Sequence, residues 1–278
     1  MNMKEIKELL EFGFINIDKP TGPTSFSVGQ FVKEKLNLRK TSHLGTLDPA
    51  VTGVLPIALN RACKLNEVFM HRNKTYVGIM RLHSEIEKQK LQNEIENFIG
   101  KIKQFPPKRS RVKRQERERE IQTFKILEIE GKDVLFETEV QAGTYIRKLI
   151  HDLGEGIGGA HMLELRRIKA GLFEEPCVSL YEFEKAVQEF EKGNEKILRM
   201  MIIDAEERIR ESLPCYEIKE KVVKQALTGK PLMEQDFVKG LDLNEGERFA
   251  VFFRDRFIEI AKKVNEGEII SRPEFVYN

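Results

Sequence analysis

One short stretch of the sequence combines a carboxylate with the backbone features of a ligand-binding loop. Asp48 stands between Leu47 and Pro49, and glycines flank the loop at Gly45 and Gly53. A proline biases the residue before it towards an extended backbone, and glycines let a ligand come close to the main chain. Since a lone Asp in a turn is most often only a turn residue, this stretch by itself predicts a positioned carboxylate and no more.

The cysteines and histidines give little support to a metal or disulfide site. Cys63, Cys177 and Cys215 are odd in number and never form a CxxC pair, which indicates a reducing compartment. The five histidines show neither HExxH nor HxH spacing. The sequence therefore predicts no metal site.

The charges are balanced overall but clustered locally. Lys and Arg number 47 against 45 Asp and Glu, a net charge of +2 that by itself argues against a nucleic-acid-binding protein. However, seven basic residues and no acidic one lie from Lys101 to Arg114, and a second basic group spans Arg166–Lys169. A solvated surface loop is the commoner explanation of such a run, but one sign of charge also suits contacts with phosphates.

The elements that must position these residues mix strands and helices without a regular βαβ alternation. Alternating residues predict a strand over 76–83, and turn residues predict a hairpin around 130–133. Thr24 or Ser25 can cap a helix whose apolar positions include Phe26, Phe31, Val32 and Leu36. Helical spacing runs from 146 to 153, with Gly154 as the predicted stop, and Ser179–Glu182 has the pattern of a capping box. An α+β fold is therefore predicted rather than a doubly wound sheet.

The pattern changes again after Leu213–Pro214, where two short strands follow a short helix. This change predicts a large domain over residues 1–210 and a small strand-rich domain over 211–278. No apolar run approaches the roughly 20 residues that a membrane-spanning helix needs, and the first residues lack a signal-peptide pattern. We expect no association with membranes and a cytosolic or nucleoplasmic location.

Five stretches, taken together and in this order, resemble the TruB/dyskerin family of RNA pseudouridine synthases. They are Asp18–Ser25, Gly45–Pro49 with its continuation Thr52–Pro56, Lys74–Tyr76, Ala142–Gly154 and Gly159–Arg167. The resemblance covers nearly the whole chain. It implies a pseudouridine synthase fold with a mixed, mainly antiparallel central sheet, followed by a small C-terminal PUA-like β-barrel domain that binds RNA.

The resemblance also implies catalytic roles for three residues, without a metal or organic cofactor. Asp48 corresponds to the carboxylate that acts at the electron-poor sugar, either as a nucleophile or as a base. Arg147 resembles the family's arginine that pairs with this carboxylate. Tyr76 resembles the aromatic residue that stacks on the target uracil and handles its C5 proton.

The same resemblance implies residues that bind the substrate and the surrounding RNA. Tyr145 and Leu165, with Tyr76, look like walls of the uracil pocket, and His43 looks like a contact with RNA near the flipped nucleotide. Candidates for the wider RNA surface are Lys19, Lys108, Arg109, Arg111, Lys113, Arg114, Arg166 and Arg167.

Two branches of the family fit the sequence. One modifies the T-loop uridine of tRNA alone; the other is the archaeal and eukaryotic catalytic subunit of H/ACA ribonucleoproteins, where a guide RNA selects a uridine in rRNA or tRNA. The wording of the Gly45–Pro56 stretch and the 71-residue spacing from Tyr76 to Arg147 favour the second branch. That branch implies small accessory proteins as partners, and a cytoplasmic location in an archaeal-type cell or a nucleolar one in a eukaryote. A third alternative, a non-catalytic RNA-binding scaffold, is disfavoured because Asp48, Tyr76 and Arg147 are all present.

Overall fold

The structure, a computed structural model of the chain, describes residues 4–106, 113 and 115–278. In these residues the helices are α1 (Ile6–Glu11), α2 (Ser25–Lys35), α3 (Asn66–Phe69), α4 (Lys88–Glu96), α5 (Ile146–Glu155), α6 (Leu180–Glu191), α7 (Lys196–Met201), α8 (Ala205–Ser212) and α9 (Val223–Leu227). The strands are β1 (Gly13–Lys19), β2 (Thr41–His43), β3 (Thr52–Leu59), β4 (Lys74–Leu82), β5 (Gly100–Gln104), β6 (Arg117–Glu130), β7 (Asp133–Val140), β8 (Ala160–Ala170), β9 (Phe173–Glu174), β10 (Val178–Ser179), β11 (Ile202–Asp204), β12 (Cys215–Glu217), β13 (Leu232–Met233), β14 (Arg248–Phe253), β15 (Arg256–Glu266) and β16 (Ile269–Val276). No helix in this described part of the chain is both long and apolar enough to cross a membrane.

The chain forms two compact units. The larger spans Phe14–Ile202, and the smaller combines Ile203–Asn278 with the described residues up to Gly13. The smaller unit therefore draws on both ends of the chain. The change in sequence pattern predicts a domain boundary between residues 210 and 211. That boundary of the catalytic domain stays a prediction.

The larger unit is built on one mixed sheet. Its strand order is β10-β1-β3-β8-β4-β7-β6-β5, with β2 beside β3 and β9 beside β8. The pairs β1–β10 and β3–β8 are parallel, and the other neighbours along this path are antiparallel. The predicted α+β class, with a mixed and mainly antiparallel sheet, is confirmed.

Local sequence signals account for the centre of this sheet. Residues 74, 76, 78, 80 and 82 of β4 are buried, and the residues between them are more exposed, as an alternating strand requires. The predicted hairpin joins β6 to β7, with Glu130 opposite Asp133. Thr24 caps α2 by accepting a hydrogen bond from the Ser27 amide, and the predicted capping box begins α6.

Two sequence-based expectations about helices are wrong in detail. Phe26 lies on the exposed side of α2, with 66% of its surface accessible, although its apolar character placed it with the buried face. Gly154 does not end α5, which continues to Glu155. A Cβ atom at Gly154 would lie 2.3 Å from the amide nitrogen of Ala160, so the glycine lets the helix pack closely against the start of β8.

The smaller unit is a five-stranded sheet with its own core. Its strand order is β12-β14-β15-β16-β13. The N-terminal segment contributes Phe12, whose ring stacks on Tyr277 with 4.2 Å between centroids and on Phe257 at 5.6 Å. A cluster of buried side chains forms the hydrophobic core of this unit: Ile218, Val222, Ala226, Leu232, Phe237, Phe249, Val251, Ile258 and Ala261.

One carboxyl group is buried in this unit. Glu259 on β15 has no accessible surface, and neither carboxylate oxygen has a hydrogen-bond partner among the described residues. Burial raises the pKa of Glu259 to about 8. Because the folded pKa lies above the ordinary value of a glutamate, the folded state holds the proton more tightly. The free energy of unfolding therefore falls as pH rises from the unfolded pKa to the folded one, and this loss is complete above it.

We predict that Glu259→Gln removes this pH dependence. The stability advantage of the variant over the unmodified chain should grow by about 3 kcal/mol between pH 6 and pH 9. Urea unfolding followed by circular dichroism at both pH values measures it, and other titrating groups cancel in the difference. The exposed Glu268→Gln is the control. An advantage that stays constant with pH would contradict a neutral buried carboxyl.

Candidate active site

The loop that carries Asp48 connects β2 to β3 and is closed by main-chain hydrogen bonds. The amide of Leu44 donates to the carbonyl of Pro56 (3.0 Å), and the amide of Val51 donates to the carbonyl of Asp48 itself (3.0 Å). The amide of Gly22 donates to the carbonyl of Pro49 (2.9 Å). These bonds fix the backbone on both sides of Asp48 and leave its side chain free to point elsewhere.

Ser25 fixes the residue immediately before Asp48. Its hydroxyl donates to the carbonyl of Leu47 (3.0 Å) and accepts from the amide of Leu47 (2.8 Å), and the residue is 1% exposed. The sequence offered Ser25 only as an alternative helix cap. Because Thr24 takes the capping role, Ser25 is available to hold the loop, a function that its place beside the turn did not reveal.

Lys19 lies inside the protein, which corrects the expectation that it belongs to the RNA-facing surface. It has no accessible surface, and its Nζ donates to the carbonyls of Pro20 (2.9 Å), Pro49 (3.0 Å) and Val51 (2.9 Å). Burial lowers the pKa of Lys19, and the charge of Asp48 partly opposes this shift. All three donors of the ammonium are used by backbone carbonyls, so none remains for a phosphate.

Arg167 is likewise buried and does not form part of an RNA-facing surface. It is 1% exposed, and its guanidinium donates from Nε to the carbonyl of Val54 (2.8 Å) and from Nη2 to that of Gly45 (2.9 Å). One side chain thus joins the two ends of the loop. Gly53 makes this possible, because it has φ +98° and a Cβ atom there would lie 2.2 Å from the carbonyl oxygen of Arg167.

The structure brings Asp48 and Arg147 together across 99 residues of sequence. Nη2 of Arg147 donates to Oδ2 of Asp48, a charge-assisted contact. Arg147 is the second residue of α5. The two side chains are 58% and 53% exposed, so the pair is open to a ligand from solvent.

Tyr76 and Leu165 lie on neighbouring strands close to this loop. Tyr76 on β4 is directly opposite Arg167 on β8, and Leu165 is opposite Gly78. Each of the two side chains is 8% exposed. Paired residues of antiparallel strands project to the same face, so Tyr76 shares a face with the arginine that holds the loop.

His43 and Tyr145 lie at the ends of elements that border the loop. His43 ends β2, and its Nε2 is 3.0 Å from the hydroxyl of Thr46. Burial, and secondarily the charge of Arg167, lower the pKa of His43, so its imidazole is neutral at pH 7. Tyr145 is the residue immediately before α5.

Lys74 is a buried cation to which the sequence gave no role. It is 5% exposed, and its Nζ donates to the carbonyls of Met70 and Arg72. Burial, followed by the charge of Arg167, lowers the pKa of Lys74 to about 8. Only its place in the Lys74–Tyr76 stretch of the family resemblance could have drawn attention to it.

The remaining residues predicted to bind RNA differ in their surroundings. Arg166 is occupied by two carboxylates: both of its Nη atoms donate to Asp18 at 2.9 Å, and its Nε donates to Glu175 at 2.6 Å. Its charge is therefore balanced within the protein, which does not support its predicted contact with phosphate. Lys113 is exposed. The other predicted residues of this segment, Lys108, Arg109, Arg111 and Arg114, lie outside the described residues.

Within the described ranges, one group of three side chains has the spacing of metal ligands. His151, Asp152 and Glu155 lie along α5, with ligand atoms within 4.8 Å of one another. Asp152 is already paired with Lys148, and His151 and Glu155 are exposed. The residues around Asp48 form no such group.

Two domains of known protein families match this chain. Residues 33–96 and 83–146 match the N-terminal domain of the TruB family pseudouridylate synthases, and residues 147–210 match the C-terminal domain of tRNA pseudouridylate synthase B. The probable tRNA pseudouridine synthase B of Methanopyrus kandleri is 44% identical over 253 residues, which cover 90% of this chain and 75% of that protein. The protein of the same name from Thermococcus onnurineus is 41% identical over 275 residues, 95% of this chain and 80% of that protein.

Solved structures extend the likeness to nearly the whole chain. A Cbf5-Nop10-Gar1 complex matches with a TM-score of 0.90 and 36% identity, over 98% of this chain and 87% of the matched one. An H/ACA ribonucleoprotein bound to a substrate RNA containing 2′-deoxyuridine matches with a TM-score of 0.88 and 35% identity, over 99% and 88% of the two chains. This protein belongs to the TruB family of pseudouridine synthases, which are isomerases acting on uridines in RNA. The predicted PUA-like C-terminal domain is confirmed by the same matches.

We predict that Lys19→Met destabilises the protein without weakening its charge-dependent binding of RNA. The substitution keeps the length of the side chain but leaves the carbonyls of Pro49 and Val51 without their charged donor, at a cost of about 2–4 kcal/mol in the free energy of unfolding. Urea unfolding measures this loss. RNA affinity at two salt concentrations should give the same salt dependence as the unmodified chain; a shallower dependence would mean that Lys19 contacts phosphate.

Proposed function

We propose that this pseudouridine synthase is the catalytic subunit of an H/ACA ribonucleoprotein, in which a guide RNA selects the uridine. The main support is the likeness to Cbf5 over 98% of the chain, at a TM-score of 0.90, in a complex with Nop10 and Gar1. The match to an H/ACA ribonucleoprotein holding a substrate RNA adds to it. Partners of the same kind, a guide RNA, its target and small accessory proteins, are part of the proposal.

In this proposal Asp48 is the catalytic carboxylate. Pseudouridine formation breaks the bond between uracil N1 and ribose C1′, turns the base and joins C1′ to C5. The sugar becomes electron-poor when the first bond breaks, and an ionised carboxylate held next to it stabilises that charge. Asp48 meets the requirement because its loop is fixed by Ser25, Lys19 and Arg167 while its side chain is 53% exposed.

Arg147 and Tyr76 act on either side of this carboxylate. The guanidinium of Arg147 holds the carboxylate of Asp48 in one orientation. Tyr76 stacks on the uracil and handles the proton that leaves C5, with Leu165 and Tyr145 completing the pocket and His43 contacting RNA beside it. The neutral imidazole of His43 suits a hydrogen bond to a base or sugar better than an ion pair with phosphate.

The target uridine must leave its stack before it reaches such a site. Extrusion is easiest where the nucleotide is unpaired, and a guide RNA that pairs on both sides of an unpaired target uridine would present it in this way. The surface position of the Asp48–Arg147 pair is consistent with a nucleotide delivered from outside the protein.

We predict that Asp48→Asn abolishes pseudouridine formation but leaves RNA binding unchanged. The amide keeps the size of the side chain and loses its charge, so the rate should fall by more than about 1000-fold. Tritium release from RNA labelled at uridine C5 measures the rate, and filter binding measures affinity.

The matched control is Asp133→Asn, which breaks an Asp–Arg pair of the same kind on the hairpin, where Arg81 donates to Asp133 at 2.6 and 2.7 Å. This control should retain full activity. An active Asp48→Asn variant would overturn the assignment of the catalytic carboxylate.

The names of the curated relatives favour a second candidate, a stand-alone tRNA pseudouridine synthase. We predict that the chain modifies a guide–target pair only with the matching guide, and that accessory proteins raise the rate. The measurement compares a target RNA with its guide, the same target with a guide of scrambled pairing sequence, and a bare tRNA transcript, each with and without accessory proteins.

Two further arms make the comparison decisive. A tRNA whose T-loop uridine is replaced by cytidine reports whether any tRNA activity occurs at that position. Asp48→Asn sets the background in every arm. Activity on bare tRNA equal to that on the guided target would contradict guide dependence and establish the stand-alone function instead.

A further inference from the structure

Gln104, the last residue of β5, is bonded to the main chain at the start of the helix that carries Arg147. Its Oε1 accepts from the amide of Tyr145 (3.0 Å), and its Nε2 donates to the carbonyl of Tyr145 (3.3 Å). Gln104 is 3% exposed, so water does not compete for these groups. One side chain therefore satisfies both polar groups of a single backbone position 41 residues away.

The start of α5 lacks the usual means of fixing a helix end. Its N-cap residue is Tyr145, and no side chain of that residue caps the helix, whereas Ser, Thr, Asp or Asn commonly do so. The carbonyl of Tyr145 accepts the first helical bond, from the amide of Leu149 (2.9 Å). Gln104 donates a second hydrogen bond to that carbonyl and accepts one from the amide of Tyr145 itself. It therefore sets where the helix begins.

Arg147 is two residues beyond this point. The buried side chains of Ile146, Leu149 and Ile150 fix the rotation of α5 from the core side. Ile146 and Leu149 pack the core side of the first turn, and Arg147 reaches Asp48 from the exposed side of that turn. The bonds from Gln104 act on the backbone of that turn.

We propose that Gln104 is a positioning residue for the isomerisation, which acts through the backbone of Tyr145 to place Arg147 against Asp48. It touches neither substrate nor reacting atoms. Its loss removes the two hydrogen bonds that fix the backbone of Tyr145, so the guanidinium of Arg147 moves relative to Asp48 and the carboxylate loses its fixed orientation. The proposal depends on the family's reaction and not on whether a guide RNA selects the target.

Gln104→Met tests the proposal, because methionine has a similar size but forms neither hydrogen bond. Single-turnover rates are measured with enzyme in excess, on whichever RNA the unmodified chain modifies. The rate should fall roughly 10- to 100-fold, and the affinity for that RNA should change less than about 2-fold. Gln104→Glu keeps an acceptor for the Tyr145 amide, so its rate should lie between those of Gln104→Met and the unmodified chain.

Two comparisons separate positioning from a general loss of stability. Val187→Ala removes buried volume from α6, where Val187 is 3% exposed, and supplies a destabilised variant outside the site that should keep its full rate. In a double-mutant cycle with Arg147→Lys, the two substitutions together should slow the reaction by much less than the product of their separate effects.

Three outcomes would overturn the proposal. They are a multiplicative double variant, a Gln104→Glu rate no higher than that of Gln104→Met, and a Val187→Ala variant of equal stability that slows as much as Gln104→Met. If Gln104→Met does not fold, the same cycle is run with Gln104→Glu, and multiplicative effects there would reject the proposal equally.

Discussion

The loop that carries Asp48 depends on two cationic side chains buried against its backbone. A loop has few carbonyls paired in helices or sheets, and carbonyls shielded from water need other donors. Lys19 supplies three hydrogen bonds and Arg167 supplies two. Charge-assisted bonds are stronger than those of neutral donors, and together they offset part of the cost of burying the charges. The result is a fixed backbone with a carboxylate that still reaches solvent.

The partner of that carboxylate is held independently. Arg147 belongs to α5, whose buried face is packed in the core and whose N-cap residue, Tyr145, is bonded to Gln104. Asp48 and Arg147 therefore belong to two different elements. Contacts inside the protein hold each element in place, independently of the ion pair between the two side chains. This matters because a half-exposed ion pair contributes little by itself to stability. The loop and α5 place the Asp48–Arg147 ion pair, and the ion pair is not what keeps the loop and α5 in position.

Much of the fold could be predicted because its elements follow local patterns. The alternation in β4, the turn before β7 and the capping box of α6 each involve residues within a few positions of one another. The prediction for Gly154 was wrong because a glycine near a helix end usually stops the helix. Here the glycine allows close packing against Ala160, and no local sequence pattern indicates that contact. The site pair, 99 residues apart, could be predicted only from the family resemblance.

The misplaced cations show why charge in a sequence does not give charge at a surface. A lysine beside a turn and an Arg-Arg pair indicate exposed residues, because a sequence does not display the carbonyls that will satisfy them. Here Lys19 and Arg167 are buried, and the charge of Arg166 is balanced by Asp18 and Glu175. The net charge of +2 therefore includes cations that are used inside the protein. In this protein, two of the basic residues bond the backbone of the Asp48 loop from inside the protein. The predicted phosphate contacts consequently depend on the segment around Lys113, whose basic residues follow Gln104 within ten positions of sequence. Strand β5, whose last residue is bonded at the start of α5, is thus continuous in sequence with the segment predicted to bind RNA. Substitutions in the strand and in the segment should therefore be compared for two separate effects, one on the reaction rate and one on RNA affinity.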